Sequence, residues 1–333
     1  MNHVLYACDR NFLEPLYTSV YSLLCHIRKE NTYVIHMILK DIGEAEKTRI
    51  QEMSRKFHQE IIFYDSPPLS GKLNISDSRS EATFYRMCAA SILPKDVQAV
   101  LYIDGDTVLE EAPNELFETG FQEKLISGVL DTMHRRYRKQ IGLGDEDCYL
   151  NAGVLMMNLK LWREERIEKQ MVEYLESHDY HLPHNDQDVI NHVCKGRTGV
   201  LPMRYNMITP FYEYSTEEIR KLYLLENFYR EEERKKSQDN PAIIHYAGNP
   251  FDRPWNDVCD HPKKDRYEYY ARKAGVNLNP RKVDTGSLKR ITRKLHHRLP
   301  FGVFLGMKRV QGIYQEAALR RNFGEAESLT KWR

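Results

Sequence analysis

Two carboxylates separated by one glycine follow a run of apolar residues in the first third of the chain. The apolar residues 99–103 (AVLYI) end directly in Asp104, Gly105 and Asp106. A continuous apolar run of this length is typical of a buried strand, so the sequence predicts two acidic groups at the carboxyl end of a strand. The motif could form a simple turn, since Asp and Gly are common turn residues. It could also bind a divalent cation through oxygen ligands.

A third interpretation of the acidic motif is a phosphoryl acceptor. Residues 104–108 (DGDTV) resemble the D-x-D-x-[TV] loop of phosphatases of the haloacid dehalogenase type, in which the first Asp is the nucleophile. In that family the loop usually lies on the first strand, and a later acidic pair binds magnesium. Here the whole segment 1–103 precedes the motif, and the sequence contains no later Asp-Asp pair.

The cation interpretation requires a further ligand and a pocket for a nucleotide diphosphate. The segment 242–255 (AIIHYAGNPFDRPW) supplies candidates, because it places His245 at the end of an apolar run and follows it with Gly248 and Arg253. A lone histidine at a strand end is usually structural, but the combination with a glycine and a cation is more specific. An imidazole added to two carboxylates suits Mn²⁺ better than Mg²⁺.

The elements that position these residues alternate between strands and helices in the first half of the chain. Apolar runs predict strands at 3–8, 33–39, 60–65 and 99–104, and helical patterns lie between them at 12–27, 44–57 and 81–93. This alternation indicates βαβ units, a mostly parallel sheet and an α/β fold. Ligands of such sheets bind at the carboxyl ends of the strands. The second half is less regular, with strands predicted at 124–131, 150–158 and 242–248 and helices at 159–178 and 186–196.

The composition, 41% hydrophobic and 29% charged over 333 residues, is that of a soluble globular protein. No apolar stretch approaches the ~20 residues that span a bilayer, and the N-terminus lacks the pattern of a signal peptide. Six scattered cysteines without a C-x-x-C pair indicate reduced thiols. These features predict a cytoplasmic protein, with peripheral attachment to the inner face of the cell membrane as a further expectation.

The charge is distributed unevenly, and this divides the chain. Residues 281–333 hold 13 Lys and Arg against 4 Asp and Glu, whereas the rest of the chain is acidic. We expect a catalytic domain at 1–278, with a nucleotide-binding half at 1–110 and a sugar and acceptor half at 111–278, and a basic, helical tail at 279–333. Apolar residues interleaved with the basic ones predict contact with an anionic membrane surface. An RNA-binding arm or a solvated helix are the alternatives for this tail, and no nucleic-acid partner is expected.

Seven segments in order make the chain resemble family 8 of the retaining glycosyltransferases, which includes bacterial lipooligosaccharide galactosyltransferases. The segments are YACDRNF, ATFYRM, VLYIDGDTVL, YLNAGVLMMNLKLW, HNDQDVIN, RYN and HYAG…RPW, within roughly residues 1–275. The resemblance implies a GT-A fold, with a Rossmann-like, mixed and mostly parallel sheet flanked by helices. It also implies a UDP-hexose donor, UDP-galactose or UDP-glucose, and Mn²⁺ as the cofactor, with Mg²⁺ as the alternative.

The resemblance also implies roles for individual residues. Asp104, Asp106 and His245 would bind the metal, and Gly105 would let the backbone approach the ribose or phosphate. The other residues expected to contact the nucleotide sugar are Ala7, Asp9 and Asn11 at the uracil and ribose, Arg86, Gly248 and Arg253 at the diphosphate or sugar, and Asn151 and Ala152 at the sugar. Asp131 and the run Asp186, Gln187 and Asp188 would bind sugar hydroxyls. Of these, Asp131, Gln187 and Asp188 are the candidates for catalysis. Asp9 could instead be a helix N-cap, and Asp186 and Asp188 could be acidic residues of a helix's first turn.

The implied reaction is transfer of galactose or glucose, with retention, to a cell-surface glycan or a lipid-linked acceptor. Retention would follow from same-face attack assisted by the leaving phosphate or from double displacement, and the residues leave both open. The sequence departs from the family pattern H-x-x-G-x-x-K-P-W, because four residues separate Gly248 from Arg253 and the cation is an arginine. The phosphatase, with Asp104 as nucleophile, and a non-catalytic UDP-sugar-binding protein remain the competing interpretations.

Overall fold

The computed structural model describes residues 1–67, 81–118, 121, 123–178, 180, 182–296 and 299–307. Its strands are β1 (Asn2–Asp9), β2 (Tyr33–Lys40), β3 (Glu60–Asp65), β4 (Val100–Ile103), β5 (Thr107–Leu109), β6 (Ile126–Leu130), β7 (Leu150–Met157), β8 (Thr198–Val200), β9 (Met207–Ile208) and β10 (Ile243–His245). Its α-helices are α1 (Leu13–His26), α2 (Glu44–Arg55), α3 (Ala82–Tyr85), α4 (Ala89–Ile92), α5 (Asn114–Glu118), α6 (Arg135–Gln140), α7 (Leu159–Glu164), α8 (Ile167–Ser177), α9 (Asn185–Val193), α10 (Thr209–Glu213), α11 (Thr216–Tyr223), α12 (Glu231–Asp239), α13 (Lys264–Lys273) and α14 (Ser287–His296). Short 3-10 helices cover Arg10–Phe12, Arg86–Cys88 and Met203–Tyr205.

The described strands form two sheets, and the larger one is mixed. Its seven strands follow the order β3-β2-β1-β4-β7-β6-β8. The strands β3, β2, β1 and β4 are parallel, and β7 is antiparallel to both of its neighbours. The smaller sheet has the order β5-β10-β9, with β10 antiparallel to β5 and parallel to β9. The α/β fold with a mixed, mostly parallel sheet is thus confirmed.

The central strands are apolar throughout because both faces of the large sheet are covered. In β4, Leu101 and Ile103 pack into the core under α1, whereas Val100 and Tyr102 pack into the core on the opposite face, under α7 to α9. Parallel strands covered on both faces read as continuous apolar runs. This arrangement explains why the sequence in front of Asp104 contains no alternation of apolar and polar residues.

Several predicted elements need correction. The helix predicted at 81–93 consists of α3, a 3-10 turn and α4, and it ends where Leu93 takes an extended conformation before Pro94. The helix predicted at 159–178 divides into α7 and α8 at Arg166, whose φ of 53° is left-handed. The strand predicted at 242–248 is shorter, because the chain leaves β10 after His245.

The first part of the basic tail packs against the rest of the chain. Residues 301–307 are helical, and Phe304 is 8% exposed, with its ring 6.3 Å from that of Tyr214. The Arg293 guanidinium of α14 lies 2.6 Å from Glu213 and 2.7 Å from Asp260. No helix among the described residues is both long enough and apolar enough to cross a bilayer.

Candidate active site

The acidic motif lies where the chain passes from one sheet to the other. Asp104, Gly105 and Asp106 connect the end of β4 in the large sheet to the start of β5 in the small sheet. β10 pairs with β5 so that His245 lies opposite Thr107, and the Tyr246 N–H donates to the Asp106 carbonyl at 2.9 Å. Strand register therefore brings His245 next to carboxylates that are about 140 residues away in sequence.

The three side chains form a compact cluster of ligand atoms. One atom from each of Asp104, Asp106 and His245 lies within 4.8 Å of the other two. His245 Nε2 is 3.1 Å from Asp106 Oδ1 and 3.8 Å from Asp104 Oδ2. Two carboxylate oxygens and one imidazole nitrogen suit a divalent cation between the hard and borderline classes. The donor set therefore fits the metal that the sequence predicts, and these three residues would hold it.

Gly153, which was not predicted as a site residue, leaves the space in which the cluster lies. A Cβ at this position would be 2.1 Å from His245 Cε1 and 2.9 Å from Asp104 Oδ2. No side chain fits there without moving a predicted ligand. At Gly105, by contrast, a Cβ would meet only Leu16, at an ordinary 3.6 Å, so that any need for glycine there would come from a bound ligand.

The cluster is buried and strongly polarised. His245 is 2% exposed and Asp106 8%. Burial favours the neutral form of each group, but their mutual attraction outweighs it, so the pKa of His245 lies above its ordinary value and the pKa of Asp106 below. Arg253 contributes to the lowered pKa of Asp106. Both shifts favour the charged form of these side chains, and a bound cation would compensate the negative charge of the two carboxylates.

Arg86 is buried and forms an ion pair with Asp104 of the cluster. The guanidinium is 2.9 Å from Asp104 Oδ1 and 3.0 Å from Asp186 Oδ2, and it also donates to the Ala152 carbonyl. It lies over the Tyr102 ring, whose hydroxyl donates to Asp104 Oδ1 at 2.6 Å. Burial raises the pKa of Asp186 to about 6, and the Arg86 charge opposes this shift. Arg86 and Tyr102 therefore fix the orientation of the Asp104 carboxylate.

A chain of buried amides connects the metal cluster with Asp131. His245 Nδ1 lies 2.9 Å from Asn206 Oδ1, and Asn206 Nδ2 donates to Asn151 Oδ1 at 2.9 Å. Asn151 Nδ2 donates in turn to Asp131 Oδ2, also at 2.9 Å. Gln187 Nε2 donates to the same Asp131 oxygen at 3.0 Å. The structure thus brings Asp131, Asn151 and Gln187 together. It adds Asn206 of the RYN segment, for which no role was predicted.

Gln187 and Asp188 are held by other hydrogen bonds. Gln187 Oε1 accepts from the Ala152 N–H at 3.0 Å, and its Nε2 also donates to the Tyr149 hydroxyl. Asp188 is fully buried and accepts from Tyr149 at 2.7 Å and from the Tyr137 hydroxyl. Asp188 therefore lies behind Tyr149 and has no exposed surface, whereas Gln187 and Asp131 retain partial exposure.

The residues expected at the uracil and ribose lie at the end of β1. Asp9 accepts from the Asn11 N–H at 2.9 Å and so caps the 3-10 helix Arg10–Phe12. Asn11 is exposed, and Ala7 and Asp9 are partly exposed. Because β1 and β4 are adjacent and parallel, the end of β1 lies at the same sheet edge as Asp104.

The segment after β10 places a cation near the acidic cluster. Gly248 has a φ of 115°, a conformation that favours glycine, and a Cβ there would be 2.7 Å from Asp252 Oδ2. The Arg253 guanidinium lies over the Phe12 ring. Its Nε is buried and has no hydrogen-bond partner among the described residues. A buried donor without a partner suits a ligand oxygen such as that of a phosphate.

Known proteins match both the sequence and the fold. The sequence model for glycosyl transferase family 8 matches residues 3–259. General stress protein A of Bacillus subtilis is 23% identical over 273 residues, which cover 80% of this chain and 92% of that protein. A lipopolysaccharide 1,2-glucosyltransferase of Escherichia coli is 25% identical over 272 residues, covering 80% and 76%.

Solved structures agree with this assignment at the level of fold. The galactosyltransferase LgtC, solved with donor and acceptor sugar analogues, superposes with a TM-score of 0.68 at 23% identity and covers 81% of this chain and 95% of that one. The GT-A fold expected from the sequence is thereby confirmed. The matched family segment contains β1, the Asp-Gly-Asp motif and His245, so the chain belongs to glycosyltransferase family 8.

Proposed function

We propose that the protein transfers galactose or glucose, with retention of anomeric configuration, from UDP to a hydroxyl of a cell-surface glycan or a lipid-linked saccharide. The observation that carries the proposal is the cluster of Asp104, Asp106 and His245, next to a glycine that admits no side chain. Family membership favours this cation-binding interpretation of the acidic motif over the phosphatase. The lipopolysaccharide glycosyltransferases among the relatives support the class of acceptor.

The chain's own residues would divide the binding of the donor among them. Asp104, Asp106 and His245 would hold Mn²⁺, or Mg²⁺ as the alternative, and a bound cation supplies stabilisation of the charge on the departing diphosphate. Arg253 would bind a phosphate oxygen through its unpartnered Nε. Asp9 and Asn11 would bind the ribose and uracil, next to the backbone of Ala7. The partly exposed Asp131 would accept a hydrogen bond from a hydroxyl of the sugar.

The arrangement favours same-face attack over double displacement. In the transfer, the bond from the anomeric carbon to the phosphate oxygen breaks, the acceptor oxygen bonds to that carbon, and the acceptor's proton passes to the departing phosphate. A double displacement needs an unencumbered nucleophile on the other face of the sugar. Gln187 is a weak nucleophile whose amide makes three hydrogen bonds, and Asp188 is fully buried. The third candidate, Asp131, already accepts hydrogen bonds at both carboxylate oxygens, from the Thr132 N–H at one and from Asn151 and Gln187 at the other. We propose that Gln187 and Asp188 orient the site.

The test separates the three competing functions. Calorimetry measures UDP binding with and without Mn²⁺ for the native chain, for Asp104→Asn and Asp106→Asn, and for Asp96→Asn, an exposed control. We expect Mn²⁺-dependent binding to disappear in the first two variants and to persist in the control. Turnover is followed as UDP release from UDP-galactose and UDP-glucose. UDP binding without release would support a non-catalytic binder, and release of phosphate without UDP would support a phosphatase.

We also propose that the basic tail makes peripheral contact with anionic lipid. The excess of positive charge in residues 281–333 supports this proposal. Each basic residue near an anionic surface contributes about 1 kcal/mol of favourable binding free energy. The apolar residues expected to insert are Leu295, Leu299, Phe301, Phe304 and Leu305; the Leu295 side chain and residues 308–333 of the tail lie outside the described part of the structure. Phe304 packs on Tyr214, and Leu299 and Phe301 line a cavity beside that ring, so these three residues are withdrawn from the set. Electrostatic attraction therefore carries more of the proposed contact than insertion does.

The lipid contact can be tested with charge-neutralising substitutions in the full chain. The variant Lys282→Gln/Lys289→Gln/Arg290→Gln changes three exposed residues of the tail, and Lys29→Gln/Lys56→Gln/Lys95→Gln changes three exposed residues elsewhere. Sedimentation with vesicles containing phosphatidylglycerol should weaken only in the tail variant, and rising salt should release the native chain. Equal sedimentation of both variants would assign the tail to packing instead.

A further inference from the structure

A cavity of about 450 Å³ lies between the body of the protein and the tail. Its aromatic lining comes from Tyr212 and Tyr214 on one side and from Phe301 and Phe304 of the tail on the other. The Tyr214 ring centroid lies 6.3 Å from that of each phenylalanine. The volume lies in the usual range of ~300–1,000 Å³ for small-molecule sites.

The rest of the wall combines three carboxylates with the apolar side chains of Pro262 and Leu299. Glu213, Glu218 and Asp260 line it, and neither Lys nor Arg is among the described lining residues. Arg293 neutralises only part of this charge, because it is shared between Glu213 at 2.6 Å, Asp260 at 2.7 Å and Asp252 at 3.8 Å. The cavity therefore disfavours phosphorylated or carboxylated ligands.

The wall combines rings with hydrogen-bond acceptors. The Tyr214, Phe301 and Phe304 rings lie beside the carboxylates of Glu213, Glu218 and Asp260. Aromatic rings beside carboxylates suit a saccharide, which presents apolar C–H faces for packing and hydroxyl groups that donate hydrogen bonds.

The cavity adjoins the donor site along two routes. Tyr214 lies near Tyr223, which is beside Thr132 and Asp131. On the other side, Arg293 contacts Asp252, the neighbour of Arg253. The helix α10, which contributes Tyr212 and Glu213, follows directly from β9, the strand paired with the His245 strand.

We propose that this cavity is a subsite for the acceptor saccharide, and that it accepts neutral or amino-bearing sugars and rejects anionic ones. The inference rests on the proposed glycosyltransfer and extends it to the acceptor. The tail would thus contribute Phe301 and Phe304 to substrate binding. It would select the acceptor by charge, apart from any attachment that it provides.

The test uses the full chain and four probes: the methyl glycosides of glucose, galactose and glucosamine, and glucose 6-phosphate. Saturation-transfer NMR gives their dissociation constants. We expect the three glycosides to bind more tightly than glucose 6-phosphate and to lose about five-fold or more in Phe301→Ala. Tyr269→Ala removes a 46% exposed tyrosine that does not line the cavity, and it should change nothing.

A second variant tests the charge and keeps the fold. Glu218 forms a capping box with Ser215 at the start of α11, and Gln preserves such a box. Glu218→Gln should narrow the preference for the glucosamine glycoside over glucose 6-phosphate at least two-fold, with an unchanged melting temperature. Unchanged glycoside binding in Phe301→Ala, or tighter binding of glucose 6-phosphate by the native chain, would overturn the subsite. If UDP did not raise the melting temperature of the native chain, the glycosyltransferase proposal itself would be overturned.

Discussion

Asn206 Oδ1 lies 2.9 Å from His245 Nδ1, and this contact fixes which imidazole nitrogen faces the two carboxylates. The Asp131 carboxylate accepts from Asn151, so the Asn151 oxygen accepts from Asn206, whose own oxygen accepts from the imidazole. This chain of hydrogen bonds assigns the proton of a neutral His245 to Nδ1. Nε2 therefore keeps a free lone pair, which could bind a metal ion. A carboxylate near the proposed sugar site thereby sets the tautomer of a proposed metal ligand.

Asn206→Ala should weaken Mn²⁺ binding by about 10–100-fold, because an imidazole without its orienting partner loses both tautomer and direction. Asn206→Asp keeps an acceptor for Nδ1 but places a second oxygen against Asn151 Oδ1, so it should recover only part of the affinity. Calorimetric titration of each variant with Mn²⁺ in the absence of UDP makes the comparison. Native affinity in Asn206→Ala would show that the amide chain does not orient the ligand.

Gly153→Ala should abolish Mn²⁺-dependent UDP binding and leave the chain folded. The added methyl group would lie 2.1 Å from His245 Cε1, so the imidazole must move away from Asp104 and Asp106. Gly306→Ala is the matched control, since a Cβ there meets nothing within 4 Å. Binding is measured by calorimetry and folding by circular dichroism. Full binding by Gly153→Ala would place the metal elsewhere.

The sequence predicts the large sheet well because its central strands are buried on both faces and read as unbroken apolar runs. β5, β8 and β9 were not predicted, since they contain only two or three residues and show no periodicity. The division of α7 from α8 was also missed, because nothing in the local pattern marks the left-handed backbone at Arg166.

In the candidate site, too, some features could be predicted from local sequence and others could not. The grouping of Asp104, Asp106 and His245 could be predicted because their residue types and their places at strand ends suit one metal site. The roles of Gly153 and Asn206 depend on which strands pair, and pairing across the sequence was not predictable from one chain. The positions of Arg86 and Asp188 behind the site likewise depend on contacts with Asp186 and Tyr149.

Acid should destabilise the protein through His36, which is 1% exposed in β2. Burial, with a contribution from His3, lowers the pKa of His36 to about 4, against about 6.5 in an unfolded chain. Between these values only the unfolded state binds the proton, so stability falls as the pH falls, by up to about 3 kcal/mol at pH 4. Urea unfolding of His36→Gln at pH 7 and 4.5 should show a smaller loss than the native chain. The exposed His58→Asn is the control, and an equal loss in His36→Gln would exclude this histidine.

Arg293→Met should destabilise the packing of α14, and more strongly at pH 8 than at pH 5. Burial raises the pKa of Asp252 to about 6, with Arg293 opposing the shift, so Asp252 is charged at pH 8 and largely neutral at pH 5. Removing the guanidinium at pH 8 leaves Glu213 and Asp252 unpaired in a buried cluster, at a cost of about 3 kcal/mol. Thermal unfolding at both pH values tests this, with Arg290→Met as the control. A pH-independent loss would exclude Asp252 from the effect.

The Asp-Gly-Asp motif connects the two sheets, so the arrangement of the candidate site depends on how strands of the small sheet pair. The pairing of His245 with Thr107 sets the distance of the imidazole from the two carboxylates. A shift of β10 by one residue would turn its side chains to opposite faces and remove the imidazole from the carboxylates. The proposed metal site would therefore form only when β10 pairs with β5 in this register, which makes the order of residues in two short strands a requirement for cation binding.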